Sequence, residues 1–488
     1  MVFSSPVFLF IFLPLLIGSY YALRKELRNT VLLVFSLVFY AWGETAVTAV
    51  LLTIIIANYL FGIVIGTILE KPATGTVGLR AAMALAVIFN VGVLGFFKYW
   101  NFIMDTLNTA LTRSGFPALS ITRISLPIGI SFFTFHALSY VIDVYRRVSP
   151  ASRNPLDLAL YLALFPQLVA GPIIRYHDVA QQLGQRVTSL TKFSSGIRRF
   201  AVGLGKKVLI ANPCGAAVDQ IFAIPAAQLT PGLAWLGIVC YGLQIYYDFS
   251  GYSDMAIGLA RMFGFDFLEN FNYPYISRSI REFWRRWHIS LSNWFRDYLY
   301  VPLGGNRVSP ARTRANLLVV FFLCGLWHGA SWTFVAWGLY HGMFLVLERQ
   351  RFGRVLDSLW APVRHAYTLI VVLVGWVLFR ADTFAHAAAY LKAMVNFSAA
   401  TTGEYFLGQY LTSELRLVVV VAIVGSMPAV PWLQNRVAQV INSGRRFPAR
   451  AAAVLSAAVS VAAVVLLILF SAMSLATDTY NPFIYYRF

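Results

Sequence analysis

The side chains best suited to chemistry in this chain of 488 residues are its seven histidines. Imidazole titrates near neutrality and can accept or donate a proton inside a closed cavity. His328 lies in the tract CGLWHGASW, in the middle of a long apolar run, where Gly325 and Gly329 remove side-chain bulk around it. Two interpretations of His328 are equally supported by these residues: a functional group at membrane depth, or a packing histidine that hydrogen-bonds a neighbouring carbonyl.

His288 lies in the tract FWRRWHISLSNWFRDYLYVPLGGNR. On a continuous helix, Trp284 and Ser292 lie one turn on either side of His288 and share its face. His341 follows His328 by 13 residues. That separation is about 220° around one helix, so the two do not share a face and His341 is interpreted as structural. The remaining histidines are interpreted as a packing residue (His136) or are given no role (His177, His365 and His386).

Several familiar catalytic patterns are incomplete. Gly203-Leu204-Gly205-Lys206-Lys207 lacks the third glycine of a dinucleotide turn and the Ser or Thr that follows Lys in a P-loop. No GxSxG elbow and no HExxH occurs, so neither a serine nucleophile nor a metal site is predicted. The three cysteines are odd in number, far apart and interpreted as core residues: Cys214, Cys240 and Cys324.

The composition is that of a membrane protein. Of all residues 59% are hydrophobic and 12% charged, and the mean hydropathy is +0.67. The net charge of 39 − 20 = +19 lies in basic loops between apolar runs, which fits the positive-inside pattern better than nucleic-acid binding.

The predicted fold is an all-α polytopic membrane protein with about ten or eleven transmembrane helices, plus re-entrant and amphipathic interfacial helices. No linker divides the chain, so residues 1–488 are interpreted as one domain, and Met1 to Tyr21 is predicted to be a retained first span. Further apolar stretches lie at about 30–42, 46–68, 81–97, 124–142, 156–174, 232–260, 314–347, 366–379, 416–433 and 451–475.

Two of these stretches carry residues that break helices. Proline and glycine interrupt 124–142 and 156–174, which predicts broken or re-entrant helices shielded by protein or lining a cavity. Asp248 and Asp254 are costly at membrane depth, and are predicted to pair with arginine or to cap a helix break near Gly251, with catalysis as the alternative.

The segment 278–314 holds eight arginines against Glu282 and Asp297, a net charge of 8 − 2 = +6. Apolar residues recur between the arginines at three- and four-residue spacing, which predicts an amphipathic helix near a membrane interface. Such a helix could bind anionic lipid, or it could dock a polyanionic substrate or carrier through paired guanidinium hydrogen bonds. The charge pattern alone favours lipid.

The sequence resembles the membrane-bound O-acyltransferase family and, within it, the branch of bacterial alginate O-acetyltransferases. The resemblance covers nearly the whole chain and is carried by these tracts: MVFSSPVFLFIFLP, FFKYWNF, LPIGISFFTFHALSYVIDVYRR, LFPQLVAGPIIRY, DFSGYSDMAIGLARMFGF, NFNYPYISRSIREFWRRWHISLSNWFRDYLYVPLGGNR, GLWHGASWTFVAWGLYHG and NPFIYYRF. It implies that His328, in GLWHG, is the catalytic histidine. It also implies that His288 matches a second position of the family, which is His or Asn on the preceding amphipathic helix.

The resemblance implies a reaction in which a hydroxyl attacks a thioester carbonyl. A buried neutral His328 would remove the hydroxyl proton, because burial disfavours the charged imidazolium. His288 would hydrogen-bond the acyl carbonyl or orient the acceptor. Substrate contacts are expected at Trp284, Arg285, Arg286, Trp287, Asn293 and Trp327.

The resemblance also implies the partners. The expected donor is cytoplasmic acetyl-CoA, with no bound cofactor, and the expected outcome is O-acetylation of an exopolysaccharide such as alginate or bacterial cellulose. Acetyl groups would cross the bacterial inner membrane to extracytoplasmic acetyltransferase partners, among membrane lipids. The basic segments 278–314, 349–364 and 436–450 would face the cytoplasm, with the N-terminus outside.

Two alternatives remain open from the sequence. One keeps the enzyme class and changes the acceptor to peptidoglycan or another envelope component, although the tracts make D-alanyl transfer to teichoic acid a weaker case. The other is a polysaccharide or lipid transporter without catalysis, which should show internal repeats, and none is found.

Overall fold

The computed structural model describes residues 1–45, 47–70, 76–397, 404–442, 449–477 and 480–482. Within these ranges the regular secondary structure is helical and no β-strand occurs, as predicted. The predicted loop 436–450 and the closing tract NPFIYYRF lie partly outside the described residues.

The first nine α-helices lie between residues 13 and 184. In chain order they are α1 Leu13–Ala22, α2 Arg28–Ala41, α3 Thr48–Glu70, α4 Thr76–Leu94, α5 Trp100–Arg113, α6 Ile130–Tyr145, α7 Pro155–Ala163, α8 Phe165–Leu168 and α9 Tyr176–Gly184. Wider π-helical turns precede α1 at Phe8–Phe12 and join α4 to α5 at Gly95–Tyr99.

The middle of the chain carries the histidine tracts. Its helices are α10 Leu190–Gly205, α11 Asn212–Phe222, α12 Pro231–Met262, α13 Ile280–Arg286, α14 Ile289–Phe295, α15 Pro310–His328, α16 Trp332–Glu348 and α17 Arg351–Ser358.

The last helices complete the bundle. They are α18 Ala361–Arg380, α19 Phe384–Val395, α20 Leu407–Tyr410, α21 Ser413–Gly425, α22 Ala429–Asn442 and α23 Ala449–Thr477.

Four helices of the described ranges are long and apolar enough to cross a membrane: Thr48–Glu70, Thr76–Arg113, Ala361–Arg380 and Val454–Thr477. A fifth crossing is formed if Ser413–Gly425 and Ala429–Val437, bent by 65°, count as one span. Fewer helices than the ten or eleven predicted spans meet this test. The other apolar stretches fold as helices that are shorter, bent or richer in polar side chains.

The region 124–174 is broken, as its prolines and glycines predicted. Helix α6 begins only after Gly129, whose φ of +80° favours glycine. The stretch 156–174 divides into α7, α8 and a non-helical segment, and nearly all of it is buried. Protein packing therefore shields the irregular backbone, as burial in a membrane protein requires.

Helix α12 forms the centre of the bundle and packs along α10 and α11. Asp254 lies 2.6 Å from Arg199, as predicted, whereas the partner of Asp248 is a lysine, Lys207, at 2.8 Å. The predicted helix break near Gly251 is wrong: α12 continues through it.

Candidate active site

His328 is the last residue of α15. The helix ends there because Gly329 is extended, with φ −162° and ψ 146°, and the chain then turns into α16. The imidazole is 6% exposed and contacts three aromatic rings, with ring centres 5.0 Å from Trp327, 5.0 Å from Trp337 and 5.3 Å from Phe379. Neither ring nitrogen has a hydrogen-bond partner in the described part of the chain.

Facing glycines allow α15 and α16 to pack closely next to His328. A Cβ atom on Gly338 would lie 2.2 Å from the carbonyl oxygen of Phe321, and one on Gly325 would lie 2.4 Å from that of Phe334. Two helices can approach this closely only when small residues face each other. The apolar stretch 314–347 is therefore a tight helical hairpin with His328 at its turn.

His288 does not lie on a continuous helix, so the predicted shared face with Trp284 and Ser292 is wrong. It separates α13 from α14 in the left-handed conformation, with φ 46° and ψ 55°. The apolar side chains of this segment pack inside the protein. Trp284, Trp287 and His288 are buried at 7%, 2% and 1% exposure, because aromatic rings of α12, α16 and α18 cover them.

Asn270 fixes the ring of His288. Its amide oxygen lies 3.1 Å from His288 Nδ1 and also accepts from Ser290 Oγ at 2.9 Å, while its amide nitrogen donates to Ser253 Oγ at 3.0 Å. Since the oxygen is the group facing the imidazole, Nδ1 carries the proton in the neutral ring. His288 Nε2 is then a buried lone pair that finds no donor among the described residues.

The two histidines lie side by side. Their ring centres are 6.5 Å apart with an angle of 63° between the planes. Trp327 contacts both, at 6.0 Å from His288 and 5.0 Å from His328. A hydroxyl placed between them could meet two imidazole nitrogens at once.

The other predicted substrate contacts are more scattered. Trp284 packs against Trp337 and His341 rather than His328, and Trp287 packs against Trp376. Arg285 is exposed, and Arg286 pairs with Glu282 at 2.9 Å. Neither arginine is among the aromatic residues that contact His328. Asn293 is half-buried on α14.

A cavity of about 880 Å³ lies at the α15–α16 turn, where Gly329, the residue after His328, is part of its lining. Gly329, Phe334 and Phe379 line it on the side of His328. Across the cavity, Arg380 pairs with Asp219 at 2.7 Å. The cavity therefore reaches Phe379, which contacts His328.

Three groups of this region were not assigned a role from the sequence. Lys98 donates to the backbone oxygen of Trp327, and its charge within the apolar run FFKYW was the available signal. Asn270 and Trp337 gave no such signal, because amides and tryptophans are common beside membrane helices and only the fold shows their neighbours.

The described fold is that of an all-helical, multi-pass membrane protein with paired histidines in its interior. Residues 82–384 match the model of the MBOAT, membrane-bound O-acyltransferase, family. The chain therefore belongs to this family and is an O-acyltransferase, acting on an acyl donor in a lipid environment.

Three relatives are similar to this chain over all or most of its length. The chain is 42% identical over 500 residues to a protein of Pseudomonas putida named "Probable alginate O-acetylase AlgI", with 100% of both chains covered. It is 41% identical over 508 residues to a protein of the same name from Azotobacter vinelandii, again with 100% of both covered. A "Peptidoglycan O-acetyltransferase" of Helicobacter pylori is 35% identical over 434 residues, covering 81% of this chain and 80% of the relative.

Proposed function

We propose that this chain takes an acetyl group from cytoplasmic acetyl-CoA and passes it across the bacterial inner membrane for O-acetylation of an exopolysaccharide, alginate or a similar polymer such as cellulose. The observation that carries the proposal is the buried His288–His328 pair, whose ring centres are 6.5 Å apart, with a cavity lined by Gly329 and Phe379 next to His328. The two full-length relatives named as alginate O-acetylases support the acetyl group and the polymer.

The charges at the two ends of α15 support the direction of transfer. Arg312 and Arg314 lie in its first turns, next to Arg307, whereas the cavity at its other end is lined by two aspartates, Asp219 and Asp382, and one arginine, Arg380. Basic residues favour the cytoplasmic side of a membrane. The donor would then approach from the arginine-rich end, where guanidinium groups suit its phosphates, and the acceptor would enter the cavity from the opposite side.

The reaction follows from the two imidazoles. The acceptor hydroxyl donates to the unprotonated nitrogen of His328, and its oxygen attacks the thioester carbonyl carbon as that proton moves to His328. The carbonyl π electrons move to oxygen, giving a tetrahedral oxyanion. As the carbonyl re-forms, the C–S bond breaks and the thiolate takes the proton from His328, so the enzyme returns to its starting state.

His288 is better suited to the acceptor than to the acyl carbonyl. Its Nδ1–H is directed at Asn270, so its free Nε2 can accept a hydrogen bond but cannot donate one in the neutral ring. Of the two predicted roles, orientation of the hydroxyl is the one that this geometry favours. An extracytoplasmic partner enzyme would carry the acetyl group onward to the polymer.

The test is the O-acetyl content of secreted polysaccharide in a deletion strain complemented with the wild-type chain or with His328→Ala, His288→Ala or His365→Ala. His365 hydrogen-bonds the Ser277 carbonyl oxygen away from the site and is the matched control. We expect His328→Ala to reach the membrane but restore no acetylation, and His365→Ala to restore it fully. Full restoration by His328→Ala would refute the mechanism and favour a transporter.

The relative named as a peptidoglycan O-acetyltransferase supports a second acceptor. The same strains therefore need their peptidoglycan O-acetyl content measured. Loss of acetyl groups from peptidoglycan alone would keep the enzyme class and replace the exopolysaccharide as the outcome.

A further inference from the structure

Three buried tryptophans in this bundle have an acceptor for their indole N–H. Trp294 donates to the carbonyl oxygen of Phe135 at 3.1 Å, Trp376 donates to the Tyr275 hydroxyl at 3.2 Å, and Trp327 donates to the carbonyl oxygen of Ser131 at 3.5 Å. Trp337 is 1% exposed, yet its Nε1 has no acceptor among the described residues.

The position of Trp337 makes this free donor significant. Its ring centre is 5.0 Å from that of His328, with the planes at 85°, so the two side chains are in edge-to-face contact. Phe379 packs against both, at 4.9 Å from Trp337 and 5.3 Å from His328. A buried donor without a partner costs free energy, and such groups need an explanation in a native structure.

Acyl transfer requires a donor of this kind. The carbonyl oxygen of the thioester becomes negatively charged in the tetrahedral intermediate, and preorganised N–H groups that meet it lower the barrier. Neutral His288 cannot supply that hydrogen, because its Nδ1–H is directed at Asn270 and its Nε2 carries the lone pair. His328 itself holds the proton taken from the hydroxyl at that moment.

We propose that the indole Nε1–H of Trp337 is the oxyanion donor of this enzyme, a catalytic residue that hydrogen-bonds the acetyl carbonyl oxygen. This inference rests on the proposed acetyl transfer. In the balanced step, the hydroxyl proton goes to His328, the new C–O bond forms, and the carbonyl electron pair becomes an oxyanion that accepts from Trp337. Collapse of the oxyanion expels the thiolate and frees the indole N–H again.

Trp284 lies beside Trp337 and is the other candidate for the oxyanion donor. Its indole Nε1 also has no acceptor in the described ranges, and its ring centre lies 5.7 Å from Trp337. Both tryptophans pack on His341, each at 5.2 Å, but Trp337 also contacts His328, at 5.0 Å. The assignment therefore falls on Trp337, which touches the base.

The experiment uses inverted membrane vesicles that contain the full-length chain and the polysaccharide machinery of its strain. Radiolabelled acetyl-CoA is added, and base-labile ester label is followed as the acetyl-CoA concentration varies. Two variants remove the donor: Trp337→Phe, and replacement of Trp337 by benzothienylalanine, which keeps both rings and exchanges N–H for sulfur. We expect each to lower the maximal rate by about 100-fold or more, with a nearly unchanged half-saturating concentration.

Trp376→Phe is the matched control. Trp376 is equally buried at 1%, stacks on Trp337 at 6.1 Å, and loses a real hydrogen bond to Tyr275 when replaced. A merely structural role for Trp337 predicts that Trp376→Phe and Trp337→Phe lower the rate equally, or that the benzothienylalanine variant keeps the wild-type rate. Either result overturns the assignment.

His328→Ala in the same vesicles tests the proposed acetyl transfer separately from the role of Trp337. An inactive His328→Ala beside a fully active benzothienylalanine variant overturns the oxyanion assignment alone. A fully active His328→Ala overturns the proposed function and the assignment with it.

Discussion

The ammonium group of Lys98 donates a hydrogen bond to the backbone carbonyl oxygen of Trp327, the residue that precedes His328. Lys98 lies in the π-helical turn between α4 and α5, is 7% exposed, and also donates to Ser131 Oγ at 3.1 Å. A cation at the C-terminus of α15 satisfies one of its last carbonyls and favours the negative end of the helix dipole. The turn between α4 and α5 thus holds the helix end that carries His328, the proposed catalytic base.

Replacing Lys98 by Met should remove this tie while keeping the length of the side chain. A hydrogen bond from a charged group contributes about 1.5–3 kcal/mol, so we expect the midpoint of thermal unfolding of the detergent-solubilised chain to fall and acetylation to drop. Lys392→Met, at an exposed position of α19, is the control and should behave as wild type. Equal unfolding midpoints for Lys98→Met and wild type would show that the contact does not stabilise the fold.

Asn270 should be essential to catalysis although it lies outside the histidine tracts. Asn270→Leu removes the acceptor at 3.1 Å from His288 Nδ1, so the ring loses the bond that fixes its tautomer and orientation. Because a positioned imidazole contributes about 10²–10⁴-fold to proton transfer, we expect at least a tenfold loss of polysaccharide acetylation at normal membrane abundance.

The exposed Asn272, two residues further on, provides the comparison for Asn270. Asn272→Ala should acetylate as wild type does. If Asn270→Leu also acetylates normally, the amide does not orient His288 for catalysis.

The sequence predicted the helical class, the broken backbone in 124–174 and the pairing of Asp254 with arginine, because each depends on local apolar length, on proline and glycine, or on the cost of a buried charge. It could not predict the conformation of His288. The apolar spacing in 280–295 is the same for a helix lying on a membrane and for two short helices buried by aromatic rings. The difference is made by Asn270, 18 residues earlier in the chain, whose position only the fold determines.

The close contact of α15 with α16 should be intolerant of even one methyl group. A Cβ atom at Gly338 would lie 2.2 Å from the Phe321 carbonyl oxygen, and backbone cannot move aside as a flexible side chain can. We expect Gly338→Ala to lower the free energy of unfolding by about 1–3 kcal/mol and to reduce acetylation, since the hairpin positions His328.

Gly232 in α12 gives the opposite case, because no atom lies within 4 Å of the Cβ position there. Gly232→Ala should raise the unfolding midpoint slightly or leave it unchanged, as alanine favours the helix. Similar midpoints for Gly338→Ala and Gly232→Ala would mean that the helices can separate without cost.

A pH-dependent contribution to stability should come from His177, at the start of α9 and outside the membrane-spanning helices. His177 Nδ1 lies 2.8 Å from Asp143 Oδ2, and Nε2 lies 3.5 Å from Asp178 Oδ1. The hydrogen bond to Asp143 raises the pKa of His177 above the ordinary histidine value of about 6.5, although burial of the ring and the charge of Arg175 oppose the shift.

Because the folded protein binds the His177 proton more tightly than the unfolded chain does, the stabilisation is fully present below the unfolded pKa and is lost as the pH rises through the folded pKa. We therefore expect the unfolding midpoint of wild type to exceed that of His177→Gln most at about pH 6, with the difference shrinking by about pH 9. Asp143→Asn should weaken this trend, since it removes the carboxylate that raises the pKa of His177 most, while Asp178 remains. A difference between wild type and His177→Gln that stays constant over this range would contradict the ion pair.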